Sequence, residues 1–133
     1  MGQHKYKVIF ENFTKRHFIK TFEKKYKSKW NQTQDDIIFM CEHIDNMLLT
    51  KRADLISIAE NHRLAKLDFA IFGIKISPKA SGNRCILAID DDLNIVRILL
   101  VYSKNDIPAK NETQEWKNII KAHYSDVASL FNL

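Results

Sequence analysis

The spacing of apolar and polar positions changes several times along the chain, and each change marks an element. Tyr6, Val8 and Phe10 alternate with Lys7 and Ile9, which predicts a short strand. Asn12 or Thr14 can cap the helix that follows. In it Phe18, Phe22 and Tyr26 recur at every fourth place, a narrow apolar stripe, with Lys15, Lys20, Lys24 and Lys27 on the remaining faces. Lys29–Gln32 breaks the stripe, and Thr33-Gln-Asp-Asp36 has the form of a capping box with Asp in its last place. Ile37, Cys41, Ile44 and Leu48 then predict a second helix from about Gln34 to Leu49. So short a link predicts an antiparallel helical hairpin.

Lys51 to Asn61 gives little pattern beyond a strand or turn around Leu55–Ile58. Ala65, Leu67, Phe69 and Ile71 alternate with Lys66, Asp68 and Ala70, a further strand or extended approach. Three segments rich in Ile, Val and Leu follow, Phe72–Ser77, Arg84–Asp90 and Asn94–Tyr102, separated by turn-forming clusters. They predict three consecutive antiparallel strands. In the last, alternation sends Ile95, Leu99 and Val101 to one face and Val96, Ile98, Leu100 and Tyr102 to the other. Only Arg97 interrupts, the pattern of a central strand covered on both sides. Asp90–Asn94 is its hairpin loop. Pro108 ends the pairing, and Asn111-Glu-Thr-Gln114 opens a C-terminal helix with Trp116, Ile119 and Ile120 inward and His123 a further candidate. The expected fold is α+β: a small antiparallel sheet of about four to five strands, packed against an N-terminal helical hairpin, with a C-terminal helix. All 133 residues make a single domain.

Composition narrows the class. No apolar run approaches the ~20 residues of a membrane span, and Met1–Lys5 lacks a signal-peptide core, so a cytoplasmic protein is expected. Cys41 and Cys85 lie in apolar surroundings and read as reduced core residues. A nucleophilic pairing of Cys85 with His62 stays open beside the commoner role in packing. The five histidines and two cysteines show no metal-ligand spacing, and three glycines build neither a Walker loop nor a dinucleotide fingerprint. No cofactor or metal is expected.

The net charge of +5 is unevenly spread. Lys15 to Lys29 holds seven Lys or Arg and one acid, Glu23, while acids gather at Asp35-Asp36 and Asp90–Asp92. Such asymmetry fits a phosphate-binding face, although a solvated helix face explains the individual helix lysines equally simply. More telling are single cations at or near the ends of the expected strands, Lys75, Arg84 and Lys104. None has a carboxylate one or two places before it in an expected strand, and an RNA phosphate would give each a reason to be there.

The ordered combination Ile74-Lys75-Ile76, Ala80-Ser81-Gly82-Asn83-Arg84, Ile86–Asp90 and Leu99–Lys104 resembles the RelE/ParE superfamily of type II toxin–antitoxin toxins, its RelE/HigB-like members in particular. The upstream order, strand then helical hairpin, is similar as well, so the likeness covers most of the chain. The resemblance implies a metal-independent endoribonuclease that cuts mRNA, associated with the ribosome, and is neutralised by a cognate antitoxin. It makes Lys75, Arg84 and Lys104 the candidate catalytic residues: Lys75 as base or phosphate clamp, Arg84 as phosphate stabiliser, Lys104 as charge stabiliser or proton donor. Lys79, Tyr102 and Lys110 are the candidate RNA-binding residues. Two features depart from the family pattern: Gly73 stands where some ribosome-dependent members carry a second lysine, and no tyrosine lies near Lys110. Those departures keep two alternatives in play, a ParE-like inhibitor of DNA gyrase without nuclease activity and a non-catalytic protein-interaction module of the same fold.

Overall fold

The computed structural model describes residues 5–107 and 111–133. Its centre is one five-stranded sheet in the order β1-β5-β4-β3-β2, built from β1 (Lys7–Phe10), β2 (Ala53–Ala59), β3 (His62–Phe69), β4 (Asn83–Asp90) and β5 (Ile95–Ser103). Strands β2 to β5 pair antiparallel as successive hairpins. β1 alone runs parallel, beside β5, because the intervening helices carry the chain back before the hairpins begin.

The first helical arm is α1 (Asn12–Thr14), a π-helical turn (Lys15–Ile19) and α2 (Lys20–Tyr26), and the second is α3 (Ser28–Glu42) followed by α4 (Ile44–Leu49). The break between the arms falls at Lys27, which has a φ of 55°, and not at Lys29–Gln32 as the stripe suggested. Those four residues lie inside α3, where Trp30 is 1% exposed and stacks on Phe22 with ring centres 4.9 Å apart. Thr33 is no cap. Its hydroxyl donates to the Lys29 carbonyl (2.8 Å) and accepts from the Phe72 backbone N–H (2.9 Å), tying the helix to the segment after β3.

That segment corrects the sequence reading. Residues 72–77 form a connector, not a strand: β3 pairs directly with β4, so they are not inserted between those two strands. Gly73 has a φ of 80°, and Phe72 and Ile76 are exposed, which accounts for an apolar run that joins no sheet. The turn through Lys79 is a short helix, α5 (Pro78–Ser81), capped by Ser77 and ended by Gly82 in the left-handed region.

Beyond β5 come a 3₁₀ turn (Lys104–Asp106), α6 (Glu112–His123) and α7 (Ser125–Leu130). The two faces of the sheet carry separate cores. Leu67, Phe69, Cys85, Leu87, Val96, Ile98 and Val101 pack under Phe22, Trp30, Ile37 and Cys41 of the helical arms. Leu64, Ile86, Leu99, Leu100 and Tyr102 pack under Trp116, Ile120, Tyr124 and Phe131. Leu99 keeps the face of Arg97, as alternation gives, but Leu100 and Tyr102 join it there, opposite Val96 and Ile98 with which alternation had grouped them. The register of β4 against β5 slips between Ile86 and Leu87, inserting one extra residue, so Leu99 and Leu100 both join the C-terminal core. Arg97, the one polar interruption, ties the ends of that face together, its Nε bonded to Glu11 (3.0 Å) and its Nη1 to Asp126 (2.9 Å).

Candidate functional site

Cross-strand partners in a sheet share a face, and the register places Asp68, Arg84 and Tyr102 in one row across β3, β4 and β5. The row lies near one end of the sheet, on the side covered by α6. Arg84 Nη1 donates to both carboxylate oxygens of Glu112, the first residue of α6. Its Nε stands 3.3 Å from Asp68 Oδ1, at an angle that leaves both atoms without a hydrogen bond. The Tyr102 hydroxyl donates to Glu112 Oε2 at 2.7 Å. Both charged side chains are shielded, Arg84 being 15% and Glu112 19% exposed.

The electrostatics follow from that enclosure. Burial alone would push the Glu112 carboxyl up, but hydrogen bonds from Arg84 and Tyr102, with the Arg84 charge, hold it below the usual carboxylate range. Burial likewise opposes the charge on Arg84, and Glu112 and Asp68 overcome it, so its pKa rises. Asp68 goes the other way: burial raises it further than the Arg84, Lys66 and Lys79 charges can bring it down. Tyr102 is raised by burial and by its bond to Glu112, so its hydroxyl stays protonated.

Lys104 joins this cluster from the 3₁₀ turn. Its backbone N–H bonds the Gly82 carbonyl (2.8 Å), and its stem crosses Gly82 so closely that a Cβ there would sit 2.8 Å from Lys104 Cγ. Lys104, Asn105, Ile107 and Glu112 line a shared depression of about 370 Å³. Lys79, exposed on α5, lies close enough to act on the Asp68 charge. Lys66, two places before Asp68, acts on both Asp68 and Glu112; the sequence reading passed over it as the polar half of an alternating strand. Arg84, Lys104, Lys79 and Tyr102 are thus gathered around the head of β4. Lys75 sits exposed on the connector and takes no part in the ion pairs of the row. Tyr102 is 3% exposed, its ring in the core. Lys110 lies outside the described residues.

Three arginines on the sheet stand apart from the cations of the helical arms. Among the described residues Arg63, Arg84 and Arg97 are each held by two carboxylates. The seven Lys and Arg from Lys15 to Lys29 are all exposed and none enters an ion pair among the described residues. Two other sequence candidates resolve differently. Cys85 is fully buried opposite Leu67, with burial pushing its thiol well up, while His62 pairs with Asp90 at the far end of the same ladder. His62, Asp90 and Asp92 bring their donor atoms within 4.8 Å of one another, but Asp90 Oδ1 already accepts the N–H groups of Asp92 and Leu93 at 2.9 Å and Asp92 accepts from Asn61 at 3.0 Å. That cluster organises the β4–β5 turn.

No family model matches the chain, and no curated protein matches it. Among solved structures it is similar to a chain of the crystal structure of the archaeal RelE–RelB complex from Pyrococcus horikoshii, with a TM-score of 0.50 and 10% identity. The match covers 75% of this chain and 96% of that one. At that identity the likeness is one of fold, and the fold of this chain is RelE-like.

Proposed function

We propose that this chain is the toxin of a toxin–antitoxin pair, an mRNA endoribonuclease acting at the ribosome and neutralised by a cognate antitoxin. The observation that carries the reading is the placement of Arg84, at the head of β4 in a RelE-like sheet, with Lys66, Lys79 and Lys104 around it. The chemistry needs no metal. A ribose 2′-hydroxyl attacks the adjacent phosphorus, the bond to the 5′-oxygen breaks, and a cyclic phosphate and a free 5′-hydroxyl result. One group must take the 2′ proton, another must deliver a proton to the leaving oxygen, and cations must hold the charge that builds on the phosphoryl oxygens. Arg84 has the planar fork for two of those oxygens. Lys104, reaching over Gly82 at the rim, is the candidate donor, and Lys75 the candidate base, a role open to a lysine only where neighbouring cations favour its neutral form.

Arg84 meets a phosphate only when Glu112 lets go of it. That requirement favours a second reading in which the row is purely structural and the fold serves as a binding module, for gyrase or for another protein. Induced expression separates the two. The nuclease reading expects growth arrest with new 5′ ends inside cellular messages, both lost in Arg84→Ala. Arrest with intact messages and broken DNA supports the gyrase reading, and unimpaired growth supports the module.

A further inference from the structure

On the other face of the sheet from Arg84, a groove of about 210 Å³ runs between the end of α2, the 72–77 connector and the ends of β4 and β5. Its walls are of two kinds. Tyr26, Ile74 and Ile76 make an apolar slot, and Asn83 and Asp106 face it with polar groups. Asn83 is the unusual member. It is 6% exposed, yet its carboxamide has no hydrogen-bond partner among the described residues, and the polar atoms that lack one remain open to the groove. Its neighbours are otherwise engaged. The Ser81 hydroxyl lies within bonding distance of the Phe69 and Pro78 carbonyls (2.7 and 2.6 Å) and accepts the Asn83 backbone N–H. The carboxamide thus turns both donor and acceptor groups toward the groove, where water completes them until a ligand with matching groups displaces it.

We infer that this groove is a nucleobase subsite for single-stranded RNA, selecting adenine or cytosine, whose amine stands beside an accepting ring nitrogen. The inference rests on the RNA-directed reading above and names a site on the chain that the reading does not use. A planar heterocycle fits an apolar slot walled by a tyrosine, since every base has a face that stacks. The Asn83 carboxamide offers one donor and one acceptor, the pair that adenine or cytosine satisfies with its ring nitrogen and amine. Asp106 can only accept, which suits the second hydrogen of that amine. Uracil has no second donor to give it. Lys25, whose ammonium stands 5.3 Å from the centre of the Tyr26 ring, is placed for the phosphate of the same nucleotide. Lys29 adds a second cation nearby, its stem 3.8 Å from where a Cβ of Gly73 would be. The carboxylate of Asp106 opposes a phosphate at its own end of the slot, which orients the base toward the sheet and the backbone toward α2.

The test is fluorescence anisotropy with labelled hexamers of riboadenylate, ribocytidylate and ribouridylate at one fixed salt concentration. The wild type is expected to bind the adenylate or cytidylate hexamer about tenfold more tightly than the uridylate one. Asn83→Leu, which keeps the buried volume, should erase that preference. Tyr26→Leu should weaken all three hexamers. Asp106→Asn tests the same preference at an exposed position, and so serves if the Asn83 variant does not fold. Equal binding of the three hexamers, or a preference that survives both Asn83→Leu and Asp106→Asn, overturns the inference. Message cleavage in cells without base-selective binding would sink this subsite and leave the nuclease reading standing. Base-selective binding without cleavage would do the reverse.

Discussion

Replacing Glu112 by Gln removes one charge from the centre of the row while keeping its volume. The loss is readable from the structure. Glu112 accepts from Arg84 Nη1 with both oxygens and from the Tyr102 hydroxyl at 2.7 Å, and less than a fifth of either charged side chain is exposed. Taking one partner from a deeply buried ion pair costs about 3–5 kcal/mol. Here the pair keeps some contact with water, Arg84 keeps Asp68 at 3.3 Å, and the new amide still accepts one bond, so about 2 kcal/mol is expected. For a chain of 133 residues that lowers the melting temperature by roughly 5–8 °C. The dependence on pH has a definite sign. The folded pKa of Glu112 is depressed from 4.5, so its stabilisation is complete above that value and is lost as pH falls through the folded pKa. Urea unfolding of both proteins at pH 7 and at steps below 4.5 should therefore show a gap that closes with acid. A gap that is absent at pH 7, or that persists undiminished in acid, refutes the argument. The same variant bears on function: if Arg84 serves a phosphate, freeing it from Glu112 should raise RNA affinity by several-fold, whereas a structural row predicts no gain.

Three further outcomes follow from the packing. Trp30→Ala, at a site 1% exposed and stacked on Phe22, should cost about 3–5 kcal/mol in denaturant unfolding. Gly82→Ala should cost about 1–2 kcal/mol, because φ is 73° and the new methyl meets the Lys104 stem; the same clash should lower any cleavage activity by displacing Lys104. Lys104→Ala should leave the thermal transition within about 1 °C of wild type, since Lys104 is exposed and unpaired among the described residues, while reducing cleavage by tenfold or more.

The architecture was largely legible because its two strongest signals are local. Ile86–Asp90 and Ile95–Tyr102 flank an acidic turn, and the stripes on the helical arms are long enough to repeat. What went astray depended on contacts far apart in the chain. The connector at 72–77 has strand-like composition, but the place beside β3 that its position in the chain suggests is taken by β4. Leu100 and Tyr102 changed face relative to Val96 and Ile98 through a one-residue slip against β4 that no single-strand pattern records. Trp30 interrupts a stripe in sequence yet fills the core between two arms. Arg84 is the most instructive case. Its lack of an acid nearby in sequence suggested an external phosphate, yet its carboxylates arrive across the β3 ladder and from a helix 28 positions further on. The idle amide of Asn83 had no sequence signal at all, since asparagine beside Gly82 reads as an ordinary turn residue.

The central claim, that the head of β4 cleaves message, is tested most directly by mapping 5′ ends on one defined mRNA in a translating extract. The account predicts discrete new ends carrying a 5′-hydroxyl with the wild-type protein, and none with a folded Arg84→Ala. Identical ends from both proteins, or an intact message at a protein concentration that stops growth in cells, would contradict it.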